Sequence, residues 1–271
     1  MTLHAAHGLL RCPHCAQPLR ADGRRWACPD GHSFDVARQG YLNLATGPEP
    51  ANADTAPMLD ARARVQASGL FGFLTRTLDE VVPPDAERLV EVGAGTAHYL
   101  AHLVEARPHA RGVAVDVSRA AARRAARAHQ RVASVVADVW RGLPIRTGSA
   151  DVLLCVFAPR NVAEFARVLT PRGLLVVVTP DPRHLAGLRE KYRLLDVEAD
   201  KHKRLLDAAA GRFVHERGTT HESSTTIGAD VVNDLIGMGP NAFHHRVRAT
   251  SPERVELAVR LQLFRPGDPD A

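Results

Sequence analysis

The chain has 271 residues and is 45% hydrophobic, which suits one α/β domain with a small appendage and a substantial buried core. No apolar stretch approaches membrane-spanning length and the first residues lack a secretion-signal layout, so we expect a cytoplasmic protein without a membrane partner. The net charge of +5 suits an anionic partner, but only three of the 35 basic residues are lysines, a bias that GC-rich coding also produces, so charge alone leaves nucleic-acid binding open.

The first 44 residues carry two short turns with metal-binding side chains. One is Cys12-Pro13-His14-Cys15 and the other is Cys28-Pro29-Asp30-Gly31-His32, with a predicted hairpin over 20–24 between them. Two such pairs complete a tetrahedron around Zn²⁺, whereas a redox Cys-x-x-Cys would not need the second pair. We therefore predict a zinc-ribbon module over residues 1–44 that holds one structural zinc ion, with His14 pointing to solvent. The predicted ligands are Cys12, Cys15, Cys28 and His32.

Residues 45–87 are predicted to be a linker followed by a helical lid. Gly, Pro, Ala and Asn are frequent over 45–55, which is typical of a linker. Apolar residues then recur at helical spacing over 57–82, which predicts a pair of helices. A helix pair ahead of the first strand of an α/β domain commonly covers a cofactor pocket.

The main domain, predicted over 88–271, is organised around residues 89–100. An apolar strand that contains Glu91 leads into Gly93 and Gly95, and a helical run follows. Glycines in such a turn let the backbone approach a ligand closely. Asp116 closes the next apolar strand, where a carboxylate can accept hydrogen bonds from both hydroxyls of a ribose.

Two classes of cofactor use this layout, and the acids decide between them. A dinucleotide site needs a third glycine where this chain has Ala97, and Glu91 would repel a pyrophosphate. A carboxylate at Glu91 suits the amino group of S-adenosylmethionine, and Asp138 follows the third strand, where the adenine amino group needs an acceptor. The pattern therefore predicts an S-adenosylmethionine-dependent methyltransferase.

The rest of the chain alternates strands and helices, which predicts a parallel sheet with helices on both faces. We expect an α/β Rossmann-like methyltransferase fold with a mostly parallel seven-stranded sheet. Ser118 is predicted to cap the helix after Asp116. The basic run over 201–204 is predicted either to face the substrate or to be a solvated helix face.

Several phrases together resemble one family over nearly the whole chain. They are the zinc turns, residues 34–41 (FDVARQGY) and the loop over 91–99. The chain is similar to 23S ribosomal RNA guanine-N1 methyltransferases, and to their tylosin-resistance branch in residues 137–140 (ADVW), 156–161 (VFAPRN) and 238–240 (MGP). The combination is specific, although no single piece would suffice.

The resemblance implies an activity and partners. It implies methyl transfer from S-adenosylmethionine to N1 of one guanosine in a domain II hairpin of 23S rRNA. That hairpin lines the peptide exit tunnel, where macrolides such as tylosin bind. The resemblance also implies a homodimer whose cleft holds the RNA, with the zinc module helping to recognise it.

The same resemblance implies cofactor-binding positions, to which the residue-level argument adds Glu91, His98 and Asp138. Three departures from the family pattern stand out: Phe71 where the other branch has tyrosine, Ala97 for a glycine and Glu91 for an aspartate. Phe71 lacks the hydroxyl contact of that tyrosine, and the changes at Ala97 and Glu91 would loosen cofactor binding. The implied positions are Phe71, Gly93, Gly95, Thr96, Ala97, Asp116 and His184.

Transfer to guanine N1 requires loss of the N1 proton, so a nearby acceptor would help. Asp181, His184 and Asn161 are the candidates, and the sequence does not choose among them. Phe157 or Trp140 could form a platform for the unstacked base, although we expect Trp140 to be a core aromatic.

Two other functions fit parts of the pattern. One is a small-molecule methyltransferase whose zinc ribbon serves dimerisation, for which the 201–204 cluster would be dispensable. The other is a non-enzymatic RNA-binding protein with a degenerate cofactor pocket, an idea that Ala97 supports.

Overall fold

The computed structural model of the chain describes residues 2–198, 200–244 and 248–267. The strands are β1 (Arg20–Asp22), β2 (Arg25–Ala27), β3 (Ser33–Asp35), β4 (Leu42–Asn43), β5 (Arg88–Val92), β6 (Arg111–Asp116), β7 (Val132–Val136), β8 (Ala150–Val156), β9 (Leu169–Pro180), β10 (Phe213–Ile227) and β11 (Glu253–Pro266). The helices are α1 (Ala56–Ala67), α2 (Gly72–Val81), α3 (His98–Glu105), α4 (Arg119–Ala125), α5 (Val162–Val168), α6 (Ala186–Tyr192), α7 (Lys201–Ala209) and α8 (Ala229–Gly237).

The main sheet has the order β10-β11-β9-β8-β5-β6-β7-β4. The pairs from β9 through β4 are parallel, and β11 inserts antiparallel between β9 and β10. In such a sheet, ligands bind outside the carboxyl ends of the strands where the strand order reverses. Here that point lies between β5 and β8, so the loop after β5 is placed at the expected binding edge. The predicted Rossmann-like fold is confirmed.

An eighth strand joins the sheet from the N-terminal segment. β4 pairs in parallel with β7, with Leu42 opposite Val135 and Asn43 opposite Val136. The sequence predicts seven strands and not eight, because a two-residue strand has no periodicity from which it could be predicted. The outer edge of β7 is thereby covered by the segment that follows the zinc turns.

Two hydrophobic cores lie on opposite faces of the sheet, because successive side chains along a strand point to opposite sides. In β5, Leu89 packs into the core with α2, α3 and α8, whereas Val90 packs into the core with α5 and α7. The second core also contains Cys12 and Trp26 of the N-terminal module. The module is thus packed onto the main domain, while the three-part division of the chain stays a prediction.

The structure contains elements that the sequence analysis did not predict. β10 is fifteen residues long, and most of its side chains are exposed or half-buried. It therefore lacks the alternation of apolar and polar residues that identifies a half-buried strand. Tertiary pairing along the whole length of β11 forms the strand instead. None of the helices in the described ranges is long and apolar enough to cross a membrane.

Candidate cofactor site and metal centre

The zinc turns come together as predicted. β1 and β2 form the hairpin between them, with Ala21 opposite Trp26. Each turn is closed by backbone hydrogen bonds: Ala16 N–H donates to the Cys12 carbonyl, and Gly31 N–H donates to the Cys28 carbonyl. Because the turns fold tightly, their side chains converge on one point.

The ligand atoms of Cys12, Cys15, Cys28 and His32 all lie within 4.8 Å of one another. The Sγ atoms of Cys15 and Cys28 are 3.5 Å apart, and Cys28 Sγ is 3.4 Å from His32 Nδ1. A tetrahedron with zinc–sulfur bonds of 2.3 Å has edges of about 3.8 Å, so these distances suit the ion. His14 is exposed and its ring stacks on Phe34, as expected for a residue outside the ligand set.

The loop after β5 forms a cradle of left-handed backbone. Gly93 and Gly95 have φ of +66° and +55°, and Ala97 has φ of +58°. A Cβ at residue 93 would lie 2.3 Å from the Ala158 side chain, so only glycine fits there. Ala97 adopts a left-handed backbone conformation that favours glycine. α3 begins directly after it, at His98.

Asp116 ties the cradle to the next strand. One carboxylate oxygen accepts from Gly95 N–H and the other from Ser118 N–H, both at 2.8 Å. Burial raises the pKa of Asp116 and these two hydrogen bonds oppose the rise. Each oxygen keeps a second lone pair, so the carboxylate can still accept the ribose hydroxyls. The Ser118 side chain accepts from Ala121 N–H and confirms the predicted cap of α4.

Glu91 lies beneath the cradle and is 2% exposed. Its carboxylate accepts from Leu100 N–H at 3.3 Å. Burial, with a smaller contribution from the nearby Asp116 charge, raises the pKa of Glu91 to about 8. A buried acid of this kind ionises when a cation arrives beside it.

The lid helix α1 contacts the cradle through two residues that were not predicted from the sequence. Thr96 Oγ1 donates to Gln66 Oε1 at 2.7 Å, and Arg62 lies against Gly95. Arg62 and Gln66 are one helical turn apart and so share a face of α1. The sequence did carry a signal for these two residues: they form a polar pair at helical spacing on a helix that was predicted to cover a cofactor pocket.

Three rings surround the space beside the cradle. Phe71, at the start of α2, has its ring centroid 6.2 Å from that of Phe157 and 6.3 Å from that of His184. Phe157 and His184 are 6.1 Å apart. Phe71 is buried, whereas Phe157 is 42% exposed and has φ of +55° at the end of β8. The group can present an aromatic wall to a flat ligand.

A hydrogen bond to the ring of His184 fixes its tautomer, and burial fixes its charge. Its Nδ1 accepts from the backbone N–H of Ala258 at 3.2 Å. Burial lowers the pKa of His184 to about 4. The ring is therefore neutral at pH 7 with its proton on Nε2, which makes Nε2 a hydrogen-bond donor.

The other candidate proton acceptors are engaged in the fold. Burial would raise the pKa of Asp181, but hydrogen bonds from Arg183 and Arg260 outweigh it and the pKa is lowered. Asn161 caps α5 by accepting from Glu164 N–H, and its amide donates to the Val139 carbonyl at 2.9 Å. Both side chains thus have structural partners.

Asp138 lies just beyond β7, where it accepts from Trp140 N–H at 2.9 Å. Trp140 itself is 63% exposed. The expectation that Trp140 is a core aromatic was wrong. The short 3₁₀ turn Val139–Arg141 buries Val139 and turns Trp140 outward, a detail that side-chain type could not predict.

In the basic cluster, Lys203 and Arg204 are exposed, and Arg204 pairs with Glu198. The side chain of Lys201 lies outside the described residues. His202 is half-buried on the helix that packs against β10. Whether this cluster faces the substrate stays a prediction.

The fold and the cradle define the class of protein. A parallel sheet with a glycine loop after β5 and an acid at the end of β6 holds a nucleoside, and the buried Glu91 suits a cationic group in place of a diphosphate. These are the features of an S-adenosylmethionine-dependent methyltransferase, here carrying a zinc ribbon.

Comparisons with known proteins agree. Residues 10–46 match the zinc-ribbon family model described as RlmA, N-terminal, and residues 89–173 match a methyltransferase domain. A 23S rRNA (guanine-N1)-methyltransferase from Micromonospora griseorubida is 42% identical over 95% of this chain and 97% of its own. The 23S rRNA (guanine(748)-N1)-methyltransferase of Streptomyces fradiae is 43% identical over 87% of this chain and 86% of its own.

A chain from the solved complex of the Haloferax volcanii Trm112 methyltransferase activator with a methyltransferase shares the fold. Its TM-score is 0.51 at 15% identity, over 79% of this chain and 99% of that one. The chain belongs to the 23S rRNA (guanine-N1)-methyltransferase family. It is an S-adenosylmethionine-dependent rRNA methyltransferase with a zinc ribbon, which decides between the functions considered above.

Proposed function

We propose that this enzyme methylates N1 of one guanosine in a domain II hairpin of 23S rRNA at the peptide exit tunnel. We further propose that the added methyl group confers resistance to tylosin-type macrolides. The observation that carries the proposal is the near-full-length similarity to the Streptomyces fradiae enzyme, whose name specifies N1 of guanine 748. Since the substrate is ribosomal RNA, we place the enzyme in the cytoplasm.

The cradle supports a division of labour in cofactor binding. Gly93, Gly95, Thr96 and Ala97 line the approach to the methionyl group, and Asp116 is suited to the ribose. Asp138 is suited to the adenine amino group: one carboxylate oxygen accepts from Trp140 N–H, and the other pairs with Arg141 at 3.6 Å and keeps a lone pair for a further donor. The pocket walls would come from Phe71, His98 and His184.

For methyl transfer, the chain has to align the base and deal with the N1 proton. Bound S-adenosylmethionine supplies an electrophilic methyl group, so alignment of the attacking nitrogen provides most of the catalysis. Phe157 is a partly exposed ring on which guanine can stack. The N1 proton would leave to solvent, and the Nε2–H of His184 is suited to donate to guanine O6, which becomes more negative as that proton departs.

The zinc module is proposed to help recognise the RNA. A groove of about 340 Å³ lies between the module and the β7–β8 connection, and His14 and Arg141 contribute to its lining. Zinc has four protein ligands and takes no part in the reaction.

The outer edge of β10 carries no other described strand, and we propose that it contributes to a homodimer. Light scattering would then give a mass near twice 29.4 kDa.

Methylation of defined RNA tests the function. Protein and labelled S-adenosylmethionine are incubated with a domain II transcript, and in parallel with large subunits that lack the modification. We expect label in the RNA and a primer-extension stop at one guanosine, because N1 methylation blocks base pairing. The stop and the label should disappear when that guanosine is replaced by adenosine. Equal labelling of the altered RNA would refute the proposed site.

A further inference from the structure

Arg62 of α1 reaches the most constrained part of the cofactor cradle. A Cβ built on Gly95 would lie 2.6 Å from Arg62 Nη1, so the guanidinium rests directly on the loop backbone. The side chain is 23% exposed and is held from two sides. Nη1 donates to Asp54 at 2.5 Å and Nη2 donates to the Met238 carbonyl at 2.7 Å.

The acidic side chains around the cradle create a need for a positive charge, which Arg62 can supply. Glu91 and Asp116 are both buried acids, and they suit the amino group and the ribose of the cofactor. The methionyl group also carries a carboxylate, which two acids would repel unless a cation compensates. Burial raises the pKa of Asp116, the nearby charge of Asp54 adds to the rise, and the charge of Arg62 works against it. The guanidinium that rests on Gly95 is thus the cation placed to meet a carboxylate there, and its ion pair with Asp54 leaves other N–H groups of the fork available.

We propose that Arg62 binds the carboxylate of the methionyl group of S-adenosylmethionine. The inference rests on the cofactor that the methyltransferase domain uses. A guanidinium has five N–H donors in a planar fork that matches a carboxylate. Hydrogen bonds within the described ranges of the chain occupy two of the five, so a carboxylate above Gly95 can be bound without breaking them.

This role would couple cofactor binding to three separate segments. Asp54 belongs to the linker, Arg62 to the lid helix, and Met238 follows α8. A carboxylate on Arg62 would thus stabilise the lid in the position that the structure shows. The competing interpretation is that Arg62 only holds Asp54 and Met238 together and never contacts the cofactor.

Binding calorimetry with the product S-adenosylhomocysteine and its decarboxylated analogue separates these interpretations. S-adenosylhomocysteine carries the carboxylate, and its decarboxylated analogue lacks only that group. For Arg62→Gln in the zinc-loaded full chain, we expect S-adenosylhomocysteine to bind roughly tenfold or more weakly, as for loss of a charge-assisted bond. Affinity for the decarboxylated analogue should change less than twofold.

Arg64→Gln is the matched control. Arg64 lies on the same helix, and its exposed guanidinium pairs with Asp234 of α8 at 2.6 Å, so neither affinity should change. Arg62→Lys keeps the charge without the fork and should lose part of the affinity for S-adenosylhomocysteine alone, which provides a second test if the glutamine variant folds poorly.

Equal weakening of both analogues by Arg62→Gln, or no weakening, would overturn the proposal in favour of the structural role. Wild-type protein that bound neither analogue would overturn the cofactor assignment and this inference with it. The two failures are therefore distinguishable.

Discussion

Two buried carboxylates meet the glycine loop and do different things. Asp116 is held by two backbone N–H groups, which fix the orientation of its carboxylate against the loop. Glu91 accepts one longer bond from Leu100 N–H, and its pKa is raised to about 8, mainly by burial.

At pH 7 Glu91 is therefore protonated in the free protein. The ordinary pKa of a glutamate, 4.5, applies in the unfolded chain, so folding takes up a proton between pH 4.5 and 8. The contribution of Glu91 to the free energy of unfolding therefore falls as the pH rises through that window.

We expect S-adenosylmethionine binding at pH 7 to release a proton from Glu91. The cofactor ammonium group favours the ionised carboxylate and lowers its pKa. Calorimetry in buffers of different ionisation enthalpy measures the number of protons released. The release should vanish in Glu91→Gln, which should also bind the cofactor more weakly.

Asp138→Asn is the control for this measurement. It changes another acid proposed for the pocket but should leave the proton release intact, whatever it does to affinity. An undiminished release in Glu91→Gln would show that another group supplies the proton.

At the scale of elements, the zinc module and the main domain share a core. Cys12 and Trp26 pack in the same cluster as Val90 and Val113 of the central strands. β4 extends the sheet directly after the module. Loss of zinc should therefore be felt beyond the module, because the turns that it holds are part of the packing against the sheet.

Cys12→Ser should lose the zinc ion and lower the melting temperature, since a structural site contributes folding free energy outright. Metal analysis and thermal unfolding measure the two effects. Cys155→Ser is the matched control: this cysteine is also buried, but it lies in β8 away from the ligand set, so the zinc content should stay at one ion. Full zinc occupancy in Cys12→Ser would contradict the assignment of the ligand.

At the scale of the whole molecule, an exposed aromatic lies near a groove between the two parts of the chain. Trp140 lies in the chain between Asp138 and Arg141, which both line the groove. Exposed rings beside basic side chains suit unstacked bases and phosphates. The net charge of +5 is modest, so the local placement of basic side chains beside Trp140 matters more for RNA binding than the total charge.

Trp140→Ala should weaken binding of the domain II RNA by roughly 5- to 150-fold, the range for loss of one stacked base. Binding of S-adenosylhomocysteine should not change. Filter binding at fixed salt measures the RNA affinity. Phe243→Ala removes another exposed ring, in the groove between α1 and α8, and serves as the control with unchanged RNA binding. Similar losses in both variants would argue against a specific platform at Trp140.

The sequence by itself determined the zinc turns, the glycine loop and the alternation of strands and helices that makes a parallel sheet. Each is a local signal: ligand spacing within a tight turn, glycine at positive φ, and apolar runs that end in an acid. Tertiary structure alone decided the strand β10, the outward turn of Trp140 and the engagement of Asp181 by two arginines. It also brought Arg62 onto Gly95 from a helix 33 residues earlier, because contacts between distant segments depend on how the lid packs and leave no mark in local spacing.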